Sequence, residues 1–145
     1  MSEPSIVDTS IWVDLLRDST GQRRTALETF VDPADVVLTR FTQLELLQGC
    51  RDDREWGLLS SYLEDQEYAP IGRDTWGSAA RIFFEMRRAG RTVASPIDCC
   101  IAELALEHRL LLLHRDRDFE TIARARPALR QRFLDWEPRA SQPEP

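Results

Sequence analysis

The sequence of 145 residues contains no lysine, so arginine supplies all 19 of its Lys and Arg side chains. Without lysine, the chain cannot use the P-loop lysine with which many nucleoside triphosphatases bind phosphate. It also cannot form the lysine Schiff base of many carbonyl-processing enzymes. Arginine remains charged at physiological pH and binds phosphate through a planar, bidentate group. The cationic side chains therefore suit phosphate recognition better than lysine-based catalysis.

Cysteine, histidine and long apolar runs are also scarce. The three cysteines, of which Cys99 and Cys100 are adjacent, do not have the spacing of a disulfide framework or a metal knuckle. The two histidines do not form a zinc motif. No apolar run is long enough to span a membrane, and the N-terminus lacks the pattern of a signal peptide. We therefore expect a cytoplasmic protein that does not enter a membrane.

Length and composition indicate one folded domain. A chain of 16.8 kDa with a hydrophobic fraction of 42% can bury a substantial core. The formal charge of −6 argues against non-specific coating of nucleic acid, although a local basic rim could still surround an acidic site. We predict a domain over residues 1–136 and a proline-rich, disordered tail over residues 137–145.

Short apolar segments alternate with amphipathic, helical segments along this domain. Five of them have the length and composition of buried strands: residues 3–7, 36–38, 68–71, 110–113 and 132–136. The alternation predicts an α/β fold with a parallel sheet that helices cover on both faces. In such sheets, ligands bind beyond the carboxyl ends of the strands.

Acidic residues lie at or near these predicted strand ends. Asp8 follows the first strand, and Asp116 and Asp118 follow the fourth. Asp98 lies in the first turn of the helix before the fourth strand, and Glu45 lies in the helix after the second strand. If the fold brings these side chains together, they form a single acidic site.

Each acid also has a purely structural interpretation. Asp8 could cap the helix that follows it, and Asp116 or Asp118 could cap the next helix along the chain. Asp98 could be the N3 residue of a variant capping box that Ser95 begins, with proline at N1. The glutamate could simply be exposed on an amphipathic helix.

The acids taken together favour a metal site. Two carboxylates roughly 5 Å apart repel by about 3 kcal/mol at an effective dielectric constant near 20. Several such groups are costly to hold together unless some protonate or a cation neutralises them. Oxygen ligands suit a hard cation, so we predict Mg²⁺ or Mn²⁺ rather than Zn²⁺.

Five segments carry a resemblance to a known family: IVDTSIWVDLL, LTRFTQLELLQG, SPIDCCIAELA, LLLLHRDRDFETIA and RFLDW. In this order and spacing, which cover residues 6–136, they resemble a PIN-domain ribonuclease, specifically a VapC-type toxin of a bacterial toxin–antitoxin pair. The resemblance implies a PIN-like three-layer sandwich with a five-stranded parallel sheet. It also implies an RNA substrate, a homodimer and a cognate VapB-type antitoxin that docks near the active site and neutralises the toxin.

The resemblance also assigns roles to particular residues. It implies that Asp8, Glu45, Asp98 and Asp116 form a catalytic quartet, and that Asp8, Asp98, Asp116 and Asp118 bind Mg²⁺ or Mn²⁺. In the same family pattern, the hydroxyl group of the DTS motif steadies the first aspartate.

Two further residues relate to the same pattern. The hydroxyl of the DTS motif is that of Ser10 in this chain. His114 stands where the family often has a small hydroxyl residue, so its role is open.

Arginines near these motifs are candidates for RNA contacts. Arg81 and Arg88 are seven residues apart, so they share one face of a predicted helix, and Arg115 and Arg117 flank an aspartate of the quartet. As a set, these four arginines could bind phosphate. The alternative is that they are solvated surface charges or partners of nearby acids.

Other functions are compatible with alternating strands and helices. A phosphoaspartate receiver needs a lysine near its phosphoryl site, and this chain has none. A haloacid-dehalogenase-type phosphatase needs a second aspartate at the position that Ser10 occupies here. The remaining alternative is a catalytically inactive PIN-like module that binds proteins, although all four acidic positions are filled.

Overall fold

The computed structural model of the chain describes residues 2–92 and 95–136. Across these ranges, four strands form one sheet: β1 (Ser5–Val7), β2 (Val36–Val37), β3 (Leu111–His114) and β4 (Gln131–Phe133). The α-helices are α1 (Thr9–Arg17), α2 (Gln22–Glu28), α3 (Arg40–Gln48), α4 (Asp53–Glu64), α5 (Thr75–Arg88), α6 (Pro96–His108) and α7 (Asp118–Ala125). The tail over residues 137–145, which we predict to be disordered, lies outside the described residues.

The two central strands bury side chains on both faces of the sheet. Ile6 of β1 and Leu112 of β3 are register partners and join the core of α5, α6 and α7. Val7 and Leu113 are also partners and join residues of α1, α2 and α4 in a second core. Because successive strand residues point to opposite faces, these runs fit a sheet covered on both sides. The predicted three-layer α/β architecture is confirmed.

The sheet has four strands rather than the predicted five. Residues 68–71 contribute one bridge, in which Tyr68 pairs with Leu38. The N–H of Leu38 donates to the carbonyl of Glu67, and the N–H of Ala69 donates to the carbonyl of Leu38, at 2.8 and 2.9 Å. Pairing stops there because Thr39 caps α3, so the chain turns into a helix directly after Leu38.

The strand order explains where a ligand would bind. All neighbouring strands are parallel, in the order β2-β1-β3-β4. β2 lies on one side of β1, and β3 lies on the other side. The topological switch point, at which the strand order reverses, therefore lies between β1 and β3. Asp8 follows β1, and its N–H donates to the carbonyl of Leu113 in β3 at 2.9 Å. The carboxyl ends of these two strands therefore lie side by side.

The helices are short relative to a lipid bilayer. Across the residues that the structure describes, none has the length and apolar character needed to span a membrane.

Candidate active site

The carboxyl ends of β1 and β3 open into a cavity of about 410 Å³, which we call the acidic pocket. Its lining consists of Asp8, Thr9, Ser10, Val13, Asp14, Glu45, Asp98, Arg115 and Asp116. The structure thus brings together all four acids of the predicted quartet. Asp118, the fifth predicted acid, lies beside them, with carboxylate oxygens of Asp98, Asp116 and Asp118 within 4.8 Å of one another.

Asp8 is both a helix cap and a member of the acidic pocket. Its Oδ2 accepts hydrogen bonds from the N–H of Ser10 at 3.0 Å and from the hydroxyl of Ser10 at 2.6 Å. The same Ser10 hydroxyl oxygen accepts from the N–H of Arg115 at 2.9 Å. Asp8 is only 3% exposed, and its buried Oδ1 has no hydrogen-bond partner among residues 2–92 and 95–136. Burial raises the pKa of Asp8, and the bonds from Ser10 lower it in part.

Asp98 is buried among the other acids of the pocket. It lies in the first turn of α6 and is 8% exposed. Burial first, and then the neighbouring charges of Asp8, Asp116 and Glu45, raise the pKa of Asp98 to about 8. Of the predicted capping box, only the N-cap is present: Oγ of Ser95 accepts from the N–H of the second residue of α6 at 3.0 Å. Within the described residues, Asp98 makes no capping-box bond back to Ser95.

Glu45 is held at the edge of the pocket by a threonine that sequence reasoning missed. The Thr9 hydroxyl donates to Oε1 of Glu45 at 2.8 Å, and the hydroxyl oxygen of Thr42 lies 3.0 Å from that of Thr9. Burial, followed by the charges of Asp8 and Asp116, raises the pKa of Glu45. Thr9 lies in the DTS motif between two residues already assigned to the site, and that position is the signal that could have identified it.

Asp116 and Asp118 are arranged by a tight turn at the start of α7. Oδ1 of Asp116 accepts from the N–H of Asp118 at 2.9 Å, and the carbonyl of Asp116 accepts from the N–H of Phe119 at 3.1 Å. Asp116 therefore does stabilise the start of the helix, as the structural interpretation proposed. Its carboxylate nevertheless lines the acidic pocket.

His114 is fully buried directly behind Asp116. Its Nδ1 accepts from the N–H of Asp116 at 3.2 Å, and its Nε2 lies 2.6 Å from Oε1 of Gln131 in β4. Burial lowers the pKa of His114, which favours the neutral imidazole. Sequence reasoning gave no role to Gln131, because its proximity to His114 arises only when β4 pairs with β3.

The four arginines that we predict to contact RNA lie in two places: Arg115 and Arg117 flank Asp116, and Arg81 and Arg88 lie on α5. Arg115 lines the acidic pocket, but it is only 15% exposed and its Nε forms an ion pair with Asp14 at 2.9 Å. Arg117 is exposed and lies 3.6 Å from the centre of the Phe133 ring.

The other two arginines, Arg81 and Arg88, both lie over the ring of Phe84, so they share one face of α5 as predicted. Neither of them lines the pocket.

The acidic pocket fits a hard divalent cation. In the part of the chain that the structure describes, no arginine forms an ion pair with Asp8, Glu45, Asp98 or Asp116. Among those residues, no arginine therefore neutralises the four charges, and no group donates a hydrogen bond to the buried Oδ1 of Asp8. All the atoms of these carboxylates that could bind a cation are oxygens, the ligands that Mg²⁺ and Mn²⁺ prefer.

These features define a class of protein: a three-layer α/β domain with a cluster of carboxylates, suited to a divalent cation, at the switch point of its sheet. Residues 5–125 match the PIN domain family, and this chain belongs to that family.

Relatives within the family support this assignment. Ribonuclease VapC11 of Mycobacterium tuberculosis is 34% identical to this chain over 126 residues, which span 82% of this chain and 91% of the relative.

Solved structures show the same fold. DNA-bound VapBC from Salmonella typhimurium matches with a TM-score of 0.68 and 21% identity, over 92% of this chain and 98% of that chain. VapBC2 from Rickettsia felis, bound to a DNA fragment from its promoter, matches with a TM-score of 0.67 and 16% identity, over 90% and 98% of the two chains. At these identities, the structural matches establish the fold alone.

We predict that Asp98→Asn stabilises the metal-free protein at pH 8. A carboxyl group whose pKa is about 8 in the folded state and ordinary in the unfolded state makes stability fall as the pH rises from about 4 to 8. Asparagine stays neutral at every pH, so the variant does not undergo this loss of stability. We expect an increase of several degrees in melting temperature, since 1 kcal/mol corresponds to about 2–4 °C at this chain length.

Thermal unfolding in EDTA at pH 5 and pH 8 measures this effect. The stabilisation should be clearly larger at pH 8 than at pH 5. Asp65→Asn, on an exposed residue at the end of α4, is the matched control and should change the melting temperature little at either pH. Equal melting temperatures for wild type and Asp98→Asn at pH 8 would contradict the prediction.

Proposed function

We propose that this chain is a metal-dependent endoribonuclease toxin, which hydrolyses RNA phosphodiester bonds and is neutralised by a cognate VapB-type antitoxin. The relatives are named as VapC ribonucleases, and the structural neighbours are toxin–antitoxin complexes. The observation that carries the proposal is the meeting of Asp8, Glu45, Asp98 and Asp116 in one pocket, where no arginine of the described residues forms an ion pair with them. We also propose that the chain acts in the cytoplasm, where a toxin of this kind would meet its RNA substrate.

Four of the acids would hold the metal: Asp8, Asp98 and Asp116, with Asp118 as a further ligand. Bound Mg²⁺ or Mn²⁺ would neutralise charge on the attacked phosphate and lower the pKa of a bound water. The hydrogen bonds of Ser10 support this role, because they fix Oδ2 of Asp8 and thereby the orientation of its carboxylate before any metal binds.

Glu45 would act on the attacking water rather than on the metal. Its carboxylate is half-buried at the side of the pocket, and the Thr9 hydroxyl orients it. The raised pKa of Glu45 makes this carboxylate a stronger base than an exposed glutamate, which suits general base catalysis.

We predict that Asp8→Asn abolishes RNA cleavage and leaves the fold intact. Asparagine has the shape of aspartate and can still accept the hydrogen bonds of Ser10, but it lacks the negative charge that a divalent cation requires. The assay follows cleavage of total RNA with added Mg²⁺ or Mn²⁺, with a second reaction in EDTA. Circular dichroism and thermal unfolding report the fold.

Asp65→Asn again serves as the matched control and should cleave RNA at the wild-type rate. Cleavage by wild type that persists in EDTA would refute the metal dependence. A folded wild-type protein that cleaves no RNA with either metal would instead favour the inactive, protein-binding alternative.

RNA has to approach an acidic pocket, so we propose that arginines at its rim bind phosphates. Arg115 lines the pocket, and Arg117 is exposed above Phe133, where its guanidinium can reach solvent. Arg81 and Arg88 form a second exposed pair on α5, which we propose as a more distant contact with the RNA backbone.

Arg117→Gln should raise KM for RNA and leave kcat close to the wild-type value, because a phosphate contact at the rim affects binding rather than the reacting atoms. Loss of one phosphate contact should also reduce the salt dependence of binding by about one unit of log–log slope. Steady-state kinetics and RNA binding at several salt concentrations measure both effects. An unchanged KM with an unchanged salt slope would exclude Arg117 from RNA binding.

A second cavity suits the antitoxin. This cavity, of about 660 Å³, lies between α1, α3 and α4 and shares Val13 and Glu45 with the acidic pocket. We call it the apolar groove, although Arg17, Arg51 and Glu55 also line it. Leu16 and Leu58 line it and are 54% and 66% exposed, which is a large exposure for leucine. We propose that the antitoxin buries these leucines and thereby covers the edge of the acidic pocket.

Leu58→Glu should weaken antitoxin binding by at least about tenfold, because it introduces an unpaired charge into an apolar contact. RNA cleavage by the variant alone should stay unchanged, since Leu58 does not line the acidic pocket. Trp56→Glu is the matched control: it adds the same charge to an exposed position of α4 outside the groove lining. Wild-type affinity for the antitoxin in Leu58→Glu would refute this docking site.

We also propose that the protein forms a homodimer. Leu44 of α3 and Trp76 of α5 are exposed, and the ring of Trp76 lies 5.4 Å from that of Phe41. A second copy of the chain would cover these exposed apolar side chains. Light scattering tests the proposal, since a dimer has twice the 16.8 kDa mass of the chain.

A further inference from the structure

His114 occupies a position from which it can control Asp116 without contacting a substrate. It is the last residue of β3 and has no exposed surface. Its ring lies against the rings of Phe119 and Phe133, with centre-to-centre distances of 5.0 and 5.9 Å. Rings from α7 and β4 therefore limit the rotation of the imidazole.

The hydrogen bonds of the ring determine which nitrogen carries the proton. The backbone N–H of Asp116 can only donate, and it lies 3.2 Å from Nδ1 of His114. Nδ1 must accept, so the proton of the neutral imidazole is on Nε2. Nε2 then donates to Oε1 of Gln131 at 2.6 Å. The imidazole thus links β4 to the backbone of Asp116.

We propose that His114 is a positioning residue, which fixes the Asp116 carboxylate for metal binding by accepting the Asp116 N–H, and that Gln131 fixes His114. This inference rests on the proposed function, in which Asp116 is a metal ligand. Oδ1 of Asp116 is already engaged by the N–H of Asp118, so a fixed backbone at residue 116 also fixes the direction of the carboxylate.

A simple packing role makes a different prediction. If His114 only fills space between Phe119 and Phe133, any neutral side chain of similar size that preserves the fold will serve. If the hydrogen bond to Asp116 matters, then the position of the acceptor atom matters. Two amides separate these possibilities, because the oxygen of asparagine can replace Nδ1, whereas the amide of glutamine replaces Nε2.

The test compares His114→Asn with His114→Gln in the full-length protein, with calorimetric Mn²⁺ binding as the primary measurement. His114→Gln keeps a donor for Gln131 but loses the acceptor for Asp116, and we expect Mn²⁺ affinity to fall by roughly 10- to 100-fold. His114→Asn keeps the acceptor, and we expect its affinity to stay within about fivefold of wild type. Cleavage kinetics should follow the same order, with a raised Mn²⁺ requirement in His114→Gln.

Equal losses of Mn²⁺ affinity in the two variants, or no loss in either, would overturn the proposal. An imidazole ¹⁵N spectrum of the wild type provides a metal-free readout, and a proton on Nδ1 rather than Nε2 would also overturn it. Thermal unfolding confirms that the variants are folded.

If both His114 variants fail to fold, Gln131→Met decides the question. Gln131 is partly exposed, and methionine keeps its length but removes the acceptor for Nε2. We expect a loss of Mn²⁺ affinity of at least about threefold, and wild-type affinity would overturn the proposal.

Failure of this inference is distinguishable from failure of the proposed function. Mn²⁺ binding without RNA cleavage by wild type would refute the ribonuclease proposal, and the affinities of the variants would still judge the role of His114. Absence of Mn²⁺ binding to wild type would refute both.

Discussion

Mutual repulsion among carboxylates is the constraint on which this site depends. The fold places Asp8, Glu45, Asp98 and Asp116 around one pocket, and the pKa of Asp98 rises to about 8 as a result of burial and these neighbours. Neutral donors hold the acids: a serine hydroxyl and amide for Asp8, and a threonine hydroxyl for Glu45. Hydrogen bonds from neutral groups fix the geometry without cancelling the charge, so the repulsion remains available for a cation to relieve.

The positions of the arginines preserve this arrangement. Arg115 is the arginine that lines the acidic pocket, but its guanidinium is ion-paired with Asp14 and lies near the rings of Phe133 and Trp136. An arginine among the four acids would neutralise them and compete with a metal. A guanidinium held at the side of the pocket can instead attract phosphate while the carboxylates keep their charge.

Much of the fold could be predicted from the sequence, because strand type follows from local composition. The apolar runs ending at Val7 and Leu113 indicate strands buried on both faces, and both are central in the sheet. The predicted fifth strand does not form because Thr39 starts α3 directly after Leu38. Where a strand ends in such a case depends on whether a helix cap or further strand pairing is the more stable.

The meeting of the acids in one pocket was predictable from the sequence, but not all of the groups that hold them there were. Asp8 and Asp98 can be identified in the sequence because each is a charged residue beside a buried apolar segment. A charge there is costly unless it has a partner or a function. For Asp8 the capping role does not exclude the proposed metal role, because it caps α1 with Oδ2 while Oδ1 is buried and separate from the cap. The contact between His114 and Gln131 joins residues 17 positions apart through strand pairing, so no local pattern reveals it.

If the antitoxin docks in the apolar groove as proposed, the shared lining of the two cavities would link inhibition to metal binding. Glu45 faces both the acidic pocket and the apolar groove, so an occupant of the groove and a cation in the pocket act on the same set of carboxylates. A partner that brings a positive group to Glu45 would weaken cation binding, and linkage requires the cation to weaken binding of that partner by the same factor. A partner that contacts only Leu16 and Leu58 would leave the cation unaffected and would inhibit by excluding RNA. The charge of the groups that reach Glu45 therefore determines which of these two mechanisms operates.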